Sequence, residues 1–400
     1  MALIWLAAAC GAKKHPSVTG DFASEDAGPD VQCGLLGCNL PPPEPPTMPI
    51  HVGNPCDADP VLMTIDAGAS DASVADASDP DAGEAGSGGA GAGDAGTTGD
   101  SGTVPVISDA VKFAKSIGIC TRADKDGYGL VSASFSRGFG VTTPPADGQW
   151  GVLKKFGAVI RPREGDKLGV LSTGYAREYD TQDGAPGVDF VQSAKNTAAT
   201  VGTAPPGFPK ASASCSQSDV VNDVIDVHLV LKAPADATGF QFDFDFYTSE
   251  WPEYVCSPFN DAFTAYLTSK NKTDNVSFDS KGDPVSVNNG FFDRCTAGVV
   301  TGCSGGGVPS APAECAAGTS ELAGTGYSGL IQTRCSPAQA ATDGGATGWL
   351  TTHAPVTPGE TFTLDLMIWN AGDMALDSSV LLDKWTWLGG TVTTGTTRVK

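Results

Sequence analysis

The chain has 400 residues, with 46 acidic side chains against 24 basic ones and a formal net charge of −22. So acidic a chain argues against nucleic acid as a partner. No apolar run reaches the roughly 18 residues that a membrane-spanning helix requires.

The charge is uneven. Between Lys14 and Lys112 there is no Lys or Arg, while sixteen acidic residues fall in that interval. The acidity is therefore a property of the N-terminal quarter. Eleven cysteines stand beside four histidines, with no C-x-x-C pair of the kind a zinc site uses. Disulfides in an oxidising compartment are the better reading.

Met1 to Gly11 is a short apolar run that ends in small residues and Cys10. It resembles the lipobox of bacterial lipoproteins, in which the signal is cleaved before a cysteine whose thiol is then lipidated. Two features depart from that pattern: Leu6 sits one place too early, and no basic region precedes the run. Lipidation of Cys10 would leave ten cysteines, an even number. Residues 1–10 are thus read as a lipoprotein signal-like segment.

Residues 11–103 are rich in Pro, Gly, Ala and Asp. Pro41 to Pro46 forms a polyproline-like spacer, and residues 66–100 repeat Asp-Ala-Gly and Asp-Ala-Ser loosely. Such a segment has too little apolar surface to offset its ordering entropy, so a disordered, self-repelling acidic stalk is expected. A local knot of Cys33, Cys38 and Cys56 is expected within it.

Folded structure is expected from Val104. Ser108 should cap a helix whose Ala110, Val111, Phe113, Ala114 and Ile117 share one face, with Gly118 as its stop. Asp124-Lys-Asp126-Gly127 is too incomplete for an EF-hand loop, because Arg122 and Ala133 occupy ligand positions. Strands are expected over 129–135, 151–160, 167–171, 224–231, 240–247, 263–267, 362–369 and 380–387. In the central one, Phe240, Phe242, Phe244 and Phe246 alternate with Gln241, Asp243 and Asp245, the pattern of a half-buried strand. Eight strands with one short helix and no helix–strand rhythm predict an all-β fold, an antiparallel, jelly-roll-like β-sandwich. It should span 104–390, with a Cys-rich insertion at 289–342 and a tail at 391–400. The insertion carries Cys295, Cys303, Cys315 and Cys335, whose pairing spacing alone does not fix.

These residues carry a family likeness. Leu171-Ser-Thr-Gly174 is followed by the Phe-rich strand running into Ser249-Glu250-Trp-Pro-Glu-Tyr254, then Phe259-Asn-Asp261-Ala-Phe263. Later come Pro358-Gly-Glu-Thr-Phe362 and Gly372-Asp373…Asp377-Ser-Ser-Val380. The order is similar to that of the choice-of-anchor L family: an LSTG turn, an FxFxFxSEEYPEY-like strand and loop, FNDxF, and a late GDxxxDSxVFL segment. The likeness covers roughly 104–388. It implies a surface or secreted protein fixed by some anchoring device, with no established biochemical activity. Trp251 departs from the family, which often has a second acidic residue there, as do the added cysteines and the insertion. In composition, residues 66–100 resemble the linkers of myxobacterial lipoproteins.

Glu250, Asp261, Asp373 and Asp377, with Glu253 and Asn260, fall in turns beside core strands. Oxygen ligands on loops at one end of a sandwich are how calcium is commonly held, so Ca2+ is the candidate ion; the alternative is that each side chain stabilises its own turn. Trp251 and Tyr254 are candidate binding aromatics, with core packing as their alternative. Gly302-Cys-Ser304-Gly-Gly306 matches G-x-S-x-G but lacks the strand–helix context that motif needs, and only His353 reads as a loop-borne base. No catalytic residue is assigned. The functional expectation is a non-catalytic binding or adhesion domain on a lipid-anchored protein of the cell envelope (outer membrane or cell surface), its partner an envelope glycan or surface protein. The alternatives are a secreted polysaccharide hydrolase using Glu250 and Asp261, or a purely structural envelope component.

Overall fold

The computed structural model describes residues 108–178, 202–212, 215–303, 312–328 and 344–399, and elsewhere only 48–49, 56, 330–331, 335 and 341–342. The first strand, β1 (Met48–Pro49), precedes helix α1 (Asp109–Ser116). Ser108 caps α1 as its sequence position predicts, accepting the Val111 N–H on Oγ at 3.4 Å. Phe113, Ala114 and Ile117 are buried, and Gly118 ends the helix at φ 96°. A second helix of one turn, α2 (Ala123–Asp126), closes on Gly127 at φ 77°; no helix was expected there.

The strands follow as β2 (Gly129–Ser136), β3 (Trp150–Leu153), β4 (Leu168–Ser172), β5 (Val221–Lys232), β6 (Gly239–Thr248), β7 (Ala262–Thr268), β8 (Thr273–Asn275) and β9 (Val285–Ser286). After them come β10 (Leu330–Ile331), β11 (Ala341–Thr342), β12 (Gly345–Ala346), β13 (Leu350–Pro355), β14 (Thr361–Ala371), β15 (Ser378–Gly389) and β16 (Gly395–Arg398). One sheet runs β16-β13-β6-β15-β4-β3, with β1 on β15 and β12 on β6; the other runs β2-β5-β14-β7-β8, with β9 on β7. β10 and β11 pair with each other. Every strand pair is antiparallel. The all-β sandwich expected from the sequence is the fold observed.

The two sheets face each other across a core of alternating side chains. Phe240, Phe242, Phe244 and Phe246 of β6 meet Ile225, Val227, Leu229 and Leu231 of β5 and Leu364, Leu366 and Ile368 of β14. Phe244 lies 4.9 Å from Phe263, and Phe240 stacks on Trp385 at 4.6 Å. Burying each such ring contributes about 2 kcal/mol, so this layer dominates the stability of the domain.

Four differences from the expectations have physical causes. First, the outward face of β6 is also buried: Asp243 is 1 % exposed and Asp245 is fully covered. A second apolar cluster (Phe156, Ile160, Leu322 and Tyr327 against Tyr247 and Leu381) lies over that face. The aspartates survive there because they are partnered. Asp243 accepts the Thr351 hydroxyl (2.6 Å) and the Arg163 guanidinium (3.2 Å), and Asp245 accepts the hydroxyls of Tyr247 (3.1 Å) and Thr347 (3.2 Å).

Second, β3 stops at Leu153, because the chain then turns tightly at Gly157 (φ 61°), bridging Phe156 to Ile160. Third, the expected tail supplies β16, paired with β13, which places His353 in a strand instead of a loop.

Fourth, the folded body reaches N-terminally of Val104. β1 pairs with the end of β15, and Cys56 is bonded to Cys120 instead of joining a local knot. The other bridges among the described residues are Cys215–Cys256, Cys295–Cys315 and Cys303–Cys335. Cys10, Cys33, Cys38, residues 66–100 and Ser304 lie outside the described residues.

Candidate functional site

Strand register brings the family-like segments to one end of the sandwich. Thr248, at the end of β6, is opposite Ser378 at the start of β15, and Ser379 is opposite Ser172 at the end of β4. In the facing sheet, Ala371 ends β14 opposite Val221, and Ala262 opens β7 opposite Trp369. The turns Ser249–Tyr254, Asn260–Asp261, Thr173–Gly174 and Gly372–Asp377 therefore meet at that end, although 197 residues lie between Gly174 and Gly372.

Asp261 ties the sheets together there. Its Oδ2 accepts the Ser378 hydroxyl at 2.6 Å, from the first sheet, and its Oδ1 accepts the Ala371 N–H at 2.9 Å, from the second. Ser378 is gripped in turn by the LSTG turn. Its N–H donates to Thr173 Oγ1 (2.9 Å), and its carbonyl accepts the Thr173 N–H (3.0 Å) and the Ser172 hydroxyl (3.1 Å). Gly174 is required by space: a β-carbon on it would sit 2.0 Å from Asp377 Oδ2.

Glu250 is 2 % exposed and Asp261 and Asp377 are fully covered. Burial, then the charges of Asp261 and Asp373, push the Glu250 carboxyl well above its ordinary range. Burial likewise raises Asp261, and the Ser378 and Ala371 hydrogen bonds only partly offset it. The Asp261 N–H reaches the Glu250 carboxylate, but Glu250 Oε2 accepts no hydrogen bond. Nearby, Asn370 donates to Asp223 Oδ2 at 3.4 Å while its own Oδ1 is buried without a donor. Asp373, the fourth candidate ligand, is exposed and caps its own turn by accepting the Ala375 N–H at 2.9 Å. Among the described residues, no group of three or more His, Cys, Asp or Glu is placed to hold a metal ion.

The two candidate aromatics pack separately. Trp251 is buried against Phe292, 4.4 Å away and nearly parallel, under the Cys295–Cys315 bridge. Tyr254 is half-buried, edge-on to Phe259 at 5.7 Å. As an acid/base pair, Glu250 and Asp261 are unpromising: both lie below the surface, and both oxygens of Asp261 are engaged. Sequence reasoning missed Ser378 as a partner of Asp261, and it missed Asn370 and Asp223. A polar Asn at the end of a strand otherwise apolar on its inner face was the available signal for Asn370.

The fold and this end define a disulfide-bonded antiparallel sandwich whose strand-end turns share a buried network of polar side chains. The chain belongs to the choice-of-anchor L domain family, whose model matches residues 170–386, more than half of its length. That makes it a cell-surface protein, in a family not known for any enzyme activity. The match leaves out α1, β2 and β3, which the sequence likeness had included. Searches of curated proteins and of solved structures found no match.

Proposed function

We propose that this chain is a lipid-anchored surface protein, held through Cys10, whose sandwich acts by binding and adhesion at the cell envelope, without catalysis. One observation carries the reading. The family-like carboxylates Asp261 and Glu250 are buried in the joint between the two sheets, which leaves recognition to the surfaces around it. Incubating the full chain with isolated envelopes tests this, with palmitate labelling as a companion assay in the producing cell. Saturable retention on envelopes and loss of label in Cys10→Ser are expected. Absence of retention would remove the adhesion role, and an unlabelled parent chain would remove the anchor.

A second reading concerns the same strand ends: Glu250, Asp261 and Asp377, which are not placed to hold a metal ion as they stand, would take calcium after a local rearrangement. Glu250 Oε2 is buried without a hydrogen bond, and among the described residues no Lys or Arg ion-pairs with Glu250 or Asp261. The carboxylates would have to close on a common point and lose their protons to the ion, so the effect should grow with pH. Calcium at a hundredfold excess over Kd would add about 2.7 kcal/mol. A rise in melting temperature with calcium, reversed by chelator and absent in Glu250→Gln, is expected. An unchanged melt at every pH would leave these groups as neutral turn-formers.

A further inference from the structure

Beside the insertion lies a cleft of about 400 Å³, within the range of small-molecule sites. Four segments far apart in sequence build it: Trp251 in the loop after β6, the loop after β9, the loop carrying Cys315, and Arg398 at the end of β16. Its floor is the Trp251–Phe292 stack, and its polar walls are Asn289, Asp293, Glu314 and Arg398.

These walls are fixed by bonds of their own. Arg398 donates to the Phe291 carbonyl at 2.6 Å and the Thr347 carbonyl at 2.8 Å. Asp293 accepts the Arg294 guanidinium at 2.9 Å and the Ala317 N–H at 3.2 Å. The Cys295–Cys315 bridge joins two of the segments. A ligand therefore meets groups already in position, which lowers the ordering cost of binding. Glu314 is the exposed member.

We propose that this cleft binds the end of a neutral glycan. The half-buried Phe292 ring offers apolar surface to the C–H face of a sugar ring, while Glu314 and Asp293 accept from its hydroxyls and Arg398 donates to them. Glu314 and Asp293 stand against Arg398 and the Arg294 guanidinium that pairs with Asp293 at 2.9 Å, so the walls balance in charge and favour a ligand without net charge. A purely apolar ligand would strip water from Arg398 and Glu314 and give nothing back. A cationic side chain would meet the Arg398 guanidinium. The proposal rests on the surface-binding reading above and names its ligand class.

The test titrates the full, oxidised chain calorimetrically with neutral hexose and N-acetylhexosamine oligosaccharides, and in parallel with a lysine-rich peptide. At least one neutral oligosaccharide should bind saturably. Glu314→Ala should weaken that binding by about tenfold or more at an unchanged melting temperature, since the side chain is exposed. Arg398→Lys, which keeps the charge but loses the planar fork, should weaken it too. Absence of binding by every neutral oligosaccharide, binding unaffected by Glu314→Ala, or binding of the peptide alone would overturn the proposal. Envelope retention separates the two readings: Glu314→Ala retained like the parent, with no sugar bound, removes the glycan and keeps adhesion.

Discussion

The folded domain should lose stability as pH rises from the ordinary aspartate value of 3.8 through about 7. Asp245 and Asp383 are both raised to about 7, in each case chiefly by burial. Their hydrogen bonds (Tyr247 and Thr347 for Asp245; the N–H groups of Arg163, Lys384 and Glu164 for Asp383) only partly offset that cost. Between the two pH values the folded state holds protons that the unfolded state has released, so stability falls with pH in that window and levels off above it. A shift of one unit corresponds to about 1.4 kcal/mol; after discounting for relaxation, each group should contribute on the order of 2–4 kcal/mol. Glu250, Asp261 and Asp226 are displaced in the same direction, again first by burial. Denaturant unfolding at a series of pH values reads the slope directly. Asp245→Asn, which removes the proton but keeps a side chain of the same shape between two rotatable hydroxyls, should flatten it and gain stability above pH 7. A slope identical to that of the parent would show that Asp245 titrates normally.

Asp261→Ala should be the most damaging single change in the family-like segments. It removes both acceptor oxygens and strands two buried donors, the Ser378 hydroxyl and the Ala371 N–H, on opposite sheets. Each stranded donor costs about 1–3 kcal/mol, and the small cavity adds to that. A total of roughly 3–5 kcal/mol follows, a large share of a typical domain's net stability. Asp261→Asn keeps one acceptor and places an amide N–H beside Ser378 Oγ, which can accept it, so its loss should be less than half as large. Equal losses in both variants would mean that charge, not hydrogen bonding, is what Asp261 supplies. Chemical denaturation, with the disulfides intact, measures both.

Much of the fold was legible because its inner layer obeys a single rule. Phe240 to Phe246 and Phe362 to Ile368 alternate with period two, and β5, β6, β14 and β15 lie where that alternation places them. The outer layer was not legible. Asp243 and Asp245 read as solvent-facing residues, because nothing local reveals that Phe156, Leu322 and Tyr327 will cover them. Carboxylates under such a cover survive only through partners supplied from distant strands. β16 escaped for a similar reason: a Gly- and Thr-rich segment without alternating apolar residues becomes a strand by docking on β13. At the candidate site, the clustering of the acidic turns followed from their positions at strand ends. Their burial did not, because it depends on how closely the sheets meet there. The cleft was invisible, since Glu314 and Arg398 meet across 84 positions of sequence only once β16 has docked.

The β1–β15 pairing and the Cys56–Cys120 bridge have a mechanical meaning. A pull applied N-terminally of Met48 would enter the fold at β1, paired with the end of the inner strand β15, and at one covalent bond beside α1. The Cys56–Cys120 bond covalently bypasses the Asp-rich stretch between the two cysteines. A cut anywhere in it would not release the sandwich from what lies upstream.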